Sequence, residues 1–232
     1  MAFFDGFSSI VRGIGNALTG TISVVGGLLG DLFGRFLGIG GFFLDLIGLR
    51  KKKKLWLKFI ILLDENATEL IPQENLGETF KITKRILDEQ ADIEVIQTGV
   101  LIAGGAPEGA LDVTSPTGSF FELWGEVGAY FNSLAGIGPF TRRLSVIIVR
   151  TMEEHEARSF GPTANFILIT KTHFANPKEP EKIVAHEIGH ACGLLHREQK
   201  VNLMYHTEDD RGEKLTNWQS AVMRGSKFVW YY

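Results

Sequence analysis

Three histidines and a glutamate stand within one short stretch, His186-Glu187-Ile188-Gly189-His190-Ala191-Cys192-Gly193-Leu194-Leu195-His196. Residues four apart share a helix face, so His186 and His190 can turn their imidazoles toward one point. Glu187 is next to the first of them and can reach whatever occupies that point. Gly193 is the residue type most able to enter a left-handed conformation, so a helix can end there and the chain can turn. His196 can then approach from another side. Three neutral imidazoles with a fourth position left open make a catalytic zinc site, whereas a closed structural site would use all four. A histidine on a helix is more often an ordinary surface or core residue. Against that, the chain has six histidines, and three of them hold this spacing.

The stretch resembles the motif of the metzincin clan of zinc metallopeptidases, H-E-x-x-H-x-x-G-x-x-H followed by a methionine-containing turn. The second element is present as Asn202-Leu203-Met204-Tyr205. The resemblance implies that His186, His190 and His196 bind Zn2+, that Glu187 is the general base, and that Met204 forms an apolar floor beneath the histidines. It implies a zinc metalloendopeptidase acting on protein or peptide substrate, with no covalent intermediate. Some members carry a tyrosine two residues after the methionine; here that position is His206, so no tyrosine role is assigned. The resemblance spans roughly residues 55–232, and its specific motifs lie between His186 and Met204.

The elements that must position these residues can be read from patterning. Leu55 to Leu63 is a continuous apolar run and reads as a buried strand. Leu76 to Glu89 is amphipathic at helical period. Ile93 to Ala103 is a second strand, broken by Gly99. Gly104 to Gly118 reads as a loop, and Phe120 to Leu134 as a glycine-weakened helix. Leu144 to Val149 and Asn165 to Thr170 are further strands. Glu179 to Leu195 is the expected zinc helix, with Pro180 tolerated early. Thr216 to Val229 is a closing helix that Thr216 can cap. The expected class is α+β: a mixed sheet, a long active-site helix and a small C-terminal subdomain after Gly193. The resemblance also implies a substrate-pairing edge strand near Gly161, Thr163 and Ala164. Glu153, Glu154, His155 and Glu156 could hold a second metal, but a solvated loop is the plainer reading.

Residues 1–54 are different material. Gly, Phe, Leu and Ile dominate residues 1–49, and the charges there are Asp5, Arg12, Asp31, Arg35 and Asp45. Gly26, Gly30, Gly34 and Gly38 recur every four residues, a spacing that permits close helix contact in membranes. Arg50-Lys51-Lys52-Lys53-Lys54 then ends the segment. It lacks the basic start of a standard signal peptide. Gly13 to Gly30 is free of charge but too diluted by glycine to make a good span. A membrane anchor, a self-association segment and a prosegment remain open. A cysteine-switch prosegment is excluded, because the single cysteine, Cys192, lies inside the motif. An assembly component such as a virion or injection-apparatus protein, with peptidase activity secondary or blocked, is the competing function. The net charge of −3 gives no reason to expect nucleic acid as a partner. The hydrophobic share of 44% is that of a globular chain, which excludes a disordered one.

Overall fold

Strand β1, Lys53–Leu62, is the axis of the sheet, and its side chains alternate between two cores. Leu55, Leu57, Phe59 and Ile61 point into the larger core, while Ile60 and Leu62 belong to the smaller one on the opposite face. Each is fully buried, worth about 1.5–3 kcal/mol per side chain. Truncating Phe59 to Ala would cost about 3–5 kcal/mol. The structure, a computed structural model, describes residues 52–114, 125–136, 142–153, 156–176, 182–207 and 210–231. The expectations for residues 1–49 lie outside the described residues.

In chain order, β1 is followed by α1 (Leu76–Ala91), β2 (Ile93–Ala103), β3 (Asp112–Val113) and α2 (Glu126–Ala135). Then come β4 (Arg143–Val149), β5 (Thr151–Met152), β6 (Ala157–Ser159) and β7 (Phe166–Thr170). Helices α3 (Ile183–Ala191) and α4 (Asn217–Arg224) and strand β8 (Val229–Trp230) complete it. The main sheet runs β2-β1-β4-β7-β6, with β8 paired to the start of β1. β1, β2, β4 and β7 are parallel, and β6 and β8 are antiparallel to their neighbours. Helices α1, α3 and α4 contribute to the larger core and α2 covers the other face. The short pair β3 and β5 is tied down by Arg150, whose guanidinium donates to both Asp112 and Glu65.

The strands and α1 fall where patterning puts them. The break expected at Gly99 is a bulge: pairing with β1 slips by one residue between Leu57 and Lys58, and Gly99 takes φ +140°. Four expectations need correction. β1 starts at Lys53, ahead of Leu55, because Lys53 and Lys54 already pair with β2 and the Lys53 ammonium donates to Arg224 O at 2.8 Å. The helix expected to carry the site is short, ending at Ala191 rather than Leu195, since the chain must turn at Gly193 to return His196. Its expected start at Glu179 and Pro180 lies outside the described residues. The closing helix ends at Arg224, where the chain peels off to make β8. The edge strand is β6, and Gly161–Thr163 instead forms a 3-10 turn; Gly161, at φ +65°, and the fixed ring of Pro162 favour a turn over a ladder.

Candidate metal centre

Helix α3 places His186 and His190 one turn apart. Past its last residue, Cys192 closes the helix, Gly193 takes φ +93°, and Leu194 N–H donates back to Gly189 O at 2.9 Å. That turn delivers two groups. It brings His196 alongside, and it aims Leu194 O at His190 Nδ1, 2.8 Å away. His186 Nδ1 lies 2.8 Å from Leu203 O. A carbonyl can only accept, so both Nδ1 atoms carry the proton and both Nε2 lone pairs are left free.

Those lone pairs converge. His190 Nε2 is 3.1 Å from His186 Nε2 and 3.0 Å from His196 Nε2. Ring planes cross at 89° for His186 and His190 and 83° for His190 and His196. Tetrahedral zinc with Zn–N of about 2.0–2.1 Å requires N···N of roughly 3.3 Å, which both of these separations meet within a few tenths of an ångström, and all three ligand atoms lie within 4.8 Å of one another. Without a cation the facing lone pairs of His186 and His190 would repel. His186 is buried, His190 half-buried and His196 exposed, so the cluster reaches solvent from the His196 side. Among the described residues, no other group of three such side chains converges this way.

The surroundings keep the rings neutral. Burial, with the charge of Arg211 adding to it, pushes the His186 pKa down to about 3. Burial does the same to His190, down to about 4, and lowers His196 more mildly. Glu187 is buried, with Oε1 4.0 Å from His186 Nε2. Met204 is fully buried under α3: a Cβ placed on Gly189 would stand 2.5 Å from its Sδ. Helix and thioether can approach that closely only because residue 189 has no side chain.

A layer behind the histidines was not visible in the motif. Asn202 Oδ1 accepts from Met204 N–H at 2.9 Å and from the Gln219 amide at 3.1 Å, while its own amide donates to Gln219 Oε1 at 2.8 Å. Gln219 also closes a capping box with Thr216 at the start of α4. The signal existed in the T-x-x-Q spacing, which names the cap but not its partner. Other sequence candidates add no ligand atom to the cluster, although the charge of His206 helps lower the His196 pKa. His206 is exposed, with its ring 4.6 Å from that of Tyr205. Glu156 Oε2 lies 3.3 Å from His173 Nε2, and Glu154 and His155 fall outside the described residues. Thr163 and Ala164 do not reach the histidines through any contact seen, although Gly161 packs against α3, 4.0 Å from His190 O when a Cβ is built on it.

No protein-family model and no curated protein matches the sequence. Solved structures do. Mature mirolysin of Tannerella forsythia, in complex with a cleaved peptide, is similar at 13% identity and a TM-score of 0.53, over 75% of this chain and 91% of that one. Metalloproteinase-II of Bacteroides fragilis is similar at 16% identity and a TM-score of 0.43, over 72% of this chain and 52% of that one. The likeness to mirolysin is one of fold alone, and the mostly parallel sheet with its helices makes the fold of this protein metzincin-like.

Proposed function

We propose that this protein is a zinc-dependent endopeptidase in which His186, His190 and His196 hold the metal and Glu187 is the general base. The observation that carries the reading is the convergence of three histidine Nε2 atoms, with His190 Nε2 3.1 and 3.0 Å from those of His186 and His196, beside a buried carboxylate. Zinc, when bound, supplies a Lewis acid that acidifies water and polarises a scissile carbonyl. Leu203 O and Leu194 O fix the tautomers and orientations of the two helix histidines. Glu187 accepts a proton as water oxygen bonds to the carbonyl carbon, then returns it to the amine nitrogen as the C–N bond breaks. Met204 holds the helix from below and takes no part in proton transfer.

Substrate fits the same geometry. β6 is the terminal strand of the sheet, so the outer edge of Ala157–Ser159 is where an extended peptide can add main-chain hydrogen bonds. The complex of mirolysin with a cleaved peptide is consistent with a peptide substrate.

The test pairs two variants with the zinc-replete chain and a broad set of unstructured peptides. Glu187→Gln should fold, retain zinc and lose activity by at least ~10²–10⁴-fold. His196→Ala should release zinc on dialysis, measured by elemental analysis. Cleavage of nothing by the wild-type protein, or undiminished cleavage by the Gln variant, would sink the assignment.

A further inference from the structure

Among the described residues, no helix covers the whole sheet face of the smaller core. α2 has 10 residues and is about 15 Å long, whereas β1 has 10 residues and spans roughly 33 Å. The helix covers Ile60 and Leu62 and stops at Lys58, whose ammonium meets Leu134 O at 3.3 Å. Beyond that point the face is built from the first residues of the strands. Trp56 stands opposite Arg143 on β4, and Lys54 stands opposite Trp230 on β8. Strand partners directly opposite share a face, so Lys54, Trp56, Lys58, Arg143 and Trp230 all project from the same side.

An open cavity of about 670 Å³ lies there, with Trp56, Lys58, Arg142 and Arg143 in its lining. Three cations line it, and among the described residues no carboxylate does. Glu94, in register with Lys54, is the acid on the neighbouring strand and stays outside the lining. The Arg142 guanidinium lies 3.8 Å from the centroid of the Trp230 indole, so an aromatic ring braces one of the cations. Indoles beside Lys and Arg are the combination that settles at a lipid headgroup layer. The chain supplies a further reason. β1 begins at this end of the sheet, and Lys54, on the same face as Trp56, adds a further cation there.

We propose that this face, centred on Trp56, Lys58, Arg142 and Arg143, docks the folded domain onto an anionic phospholipid surface. The cavity shares no lining residue with the histidine cluster, so the surface stands whether or not the peptidase reading holds.

The experiment uses the full chain, with vesicles of phosphatidylcholine alone or mixed equally with phosphatidylserine. Wild-type protein should sediment with the mixed vesicles more strongly than with the neutral ones. The triple variant Lys58→Gln, Arg142→Gln, Arg143→Gln should lose at least about tenfold in partitioning to the mixed vesicles and nothing to the neutral ones. A control variant with the same charge change elsewhere, Lys81→Gln, Lys84→Gln, Lys214→Gln, should bind as wild type. Equal loss in the control would reduce the effect to net charge and overturn the proposal, as would wild-type binding by the cavity variant. Displacement from vesicles by glycerol 3-phosphate alone would identify a soluble phosphate as the occupant, and the docking proposal would fall. Should the triple variant fail to fold, quenching of wild-type tryptophan fluorescence by brominated phosphatidylserine decides: no quenching overturns it.

Discussion

Asn202 and Gln219 exchange their side-chain amides, at 2.8 and 3.1 Å, and in doing so join the turn that carries Met204 to the first turn of α4. Both are buried. The adjacent Leu203 O accepts from His186 Nδ1, so the orientation of a helix histidine is set from the C-terminal end of the chain. Asn202→Ala leaves the Met204 N–H and the Gln219 amide without their acceptor in a dry place. We expect a loss of about 1–3 kcal/mol in urea unfolding. Zinc affinity should fall by roughly 10–100-fold in chelator competition. Unchanged zinc affinity in a destabilised variant would confine Asn202 to the fold.

Gly189 offers a sharper probe of the thioether beneath the histidines. On an open helix Gly→Ala would stabilise by about 1 kcal/mol. Here the new Cβ would meet Met204 Sδ at 2.5 Å, so overpacking of about 1–3 kcal/mol should win and displace the methionine. The double variant Gly189→Ala, Met204→Ala should recover part of that loss, because the clash is removed along with the floor. A stabilised Gly189→Ala single variant would contradict the packing described.

Acid should act on the metal-free protein through its histidines. His186 and His190 have folded pKa values depressed to about 3 and about 4 by burial, against about 6.5 unfolded. The unfolded chain therefore binds protons first. Stability is fully present above pH ~6.5 and falls as pH drops through the window toward 3. Melting temperature of the chelated protein, followed between pH 7 and pH 4, should decline, and the decline should shrink in a variant carrying His186→Phe. A flat profile would mean that the rings protonate without cost and are not held as neutral donors.

Local patterning carried much of the fold because its signals are local. The apolar run from Leu55, the period of Leu76 to Glu89 and the strand Leu144 to Val149 each state their own structure. The histidine cluster was legible for the same reason, since its spacing already encodes a helix, a stop and a return. What escaped depends on distant partners. The end of α3 at Ala191 is set by the turn that brings His196 back. The edge strand lies at Ala157–Ser159 because β7 offers its pairing edge there, and Gly161-Pro162 bends the chain between them. The pairing of Asn202 with Gln219 spans a segment that shows no period of its own.

The start of the folded unit is the last expectation open to measurement. We expect it no later than Lys53, because Lys53 is 6% exposed, donates through its ammonium to Arg224 O, and through its amide to Asp92 O at 3.1 Å. Arg224 in turn donates to Ala91 O and Asp92 O, at 3.0 and 2.9 Å, and so ties the end of α1 to α4. A chain beginning at Lys52 should fold, bind zinc and unfold cooperatively. A chain beginning at Leu55 loses the Lys53 contacts and the Lys54 pairing with Trp230, and should be less stable by about 1–3 kcal/mol. Equal stability of the two would restore the boundary at Leu55. Failure of both to fold would make residues 1–51 part of the core, and the separation of the apolar segment from the folded domain would be wrong.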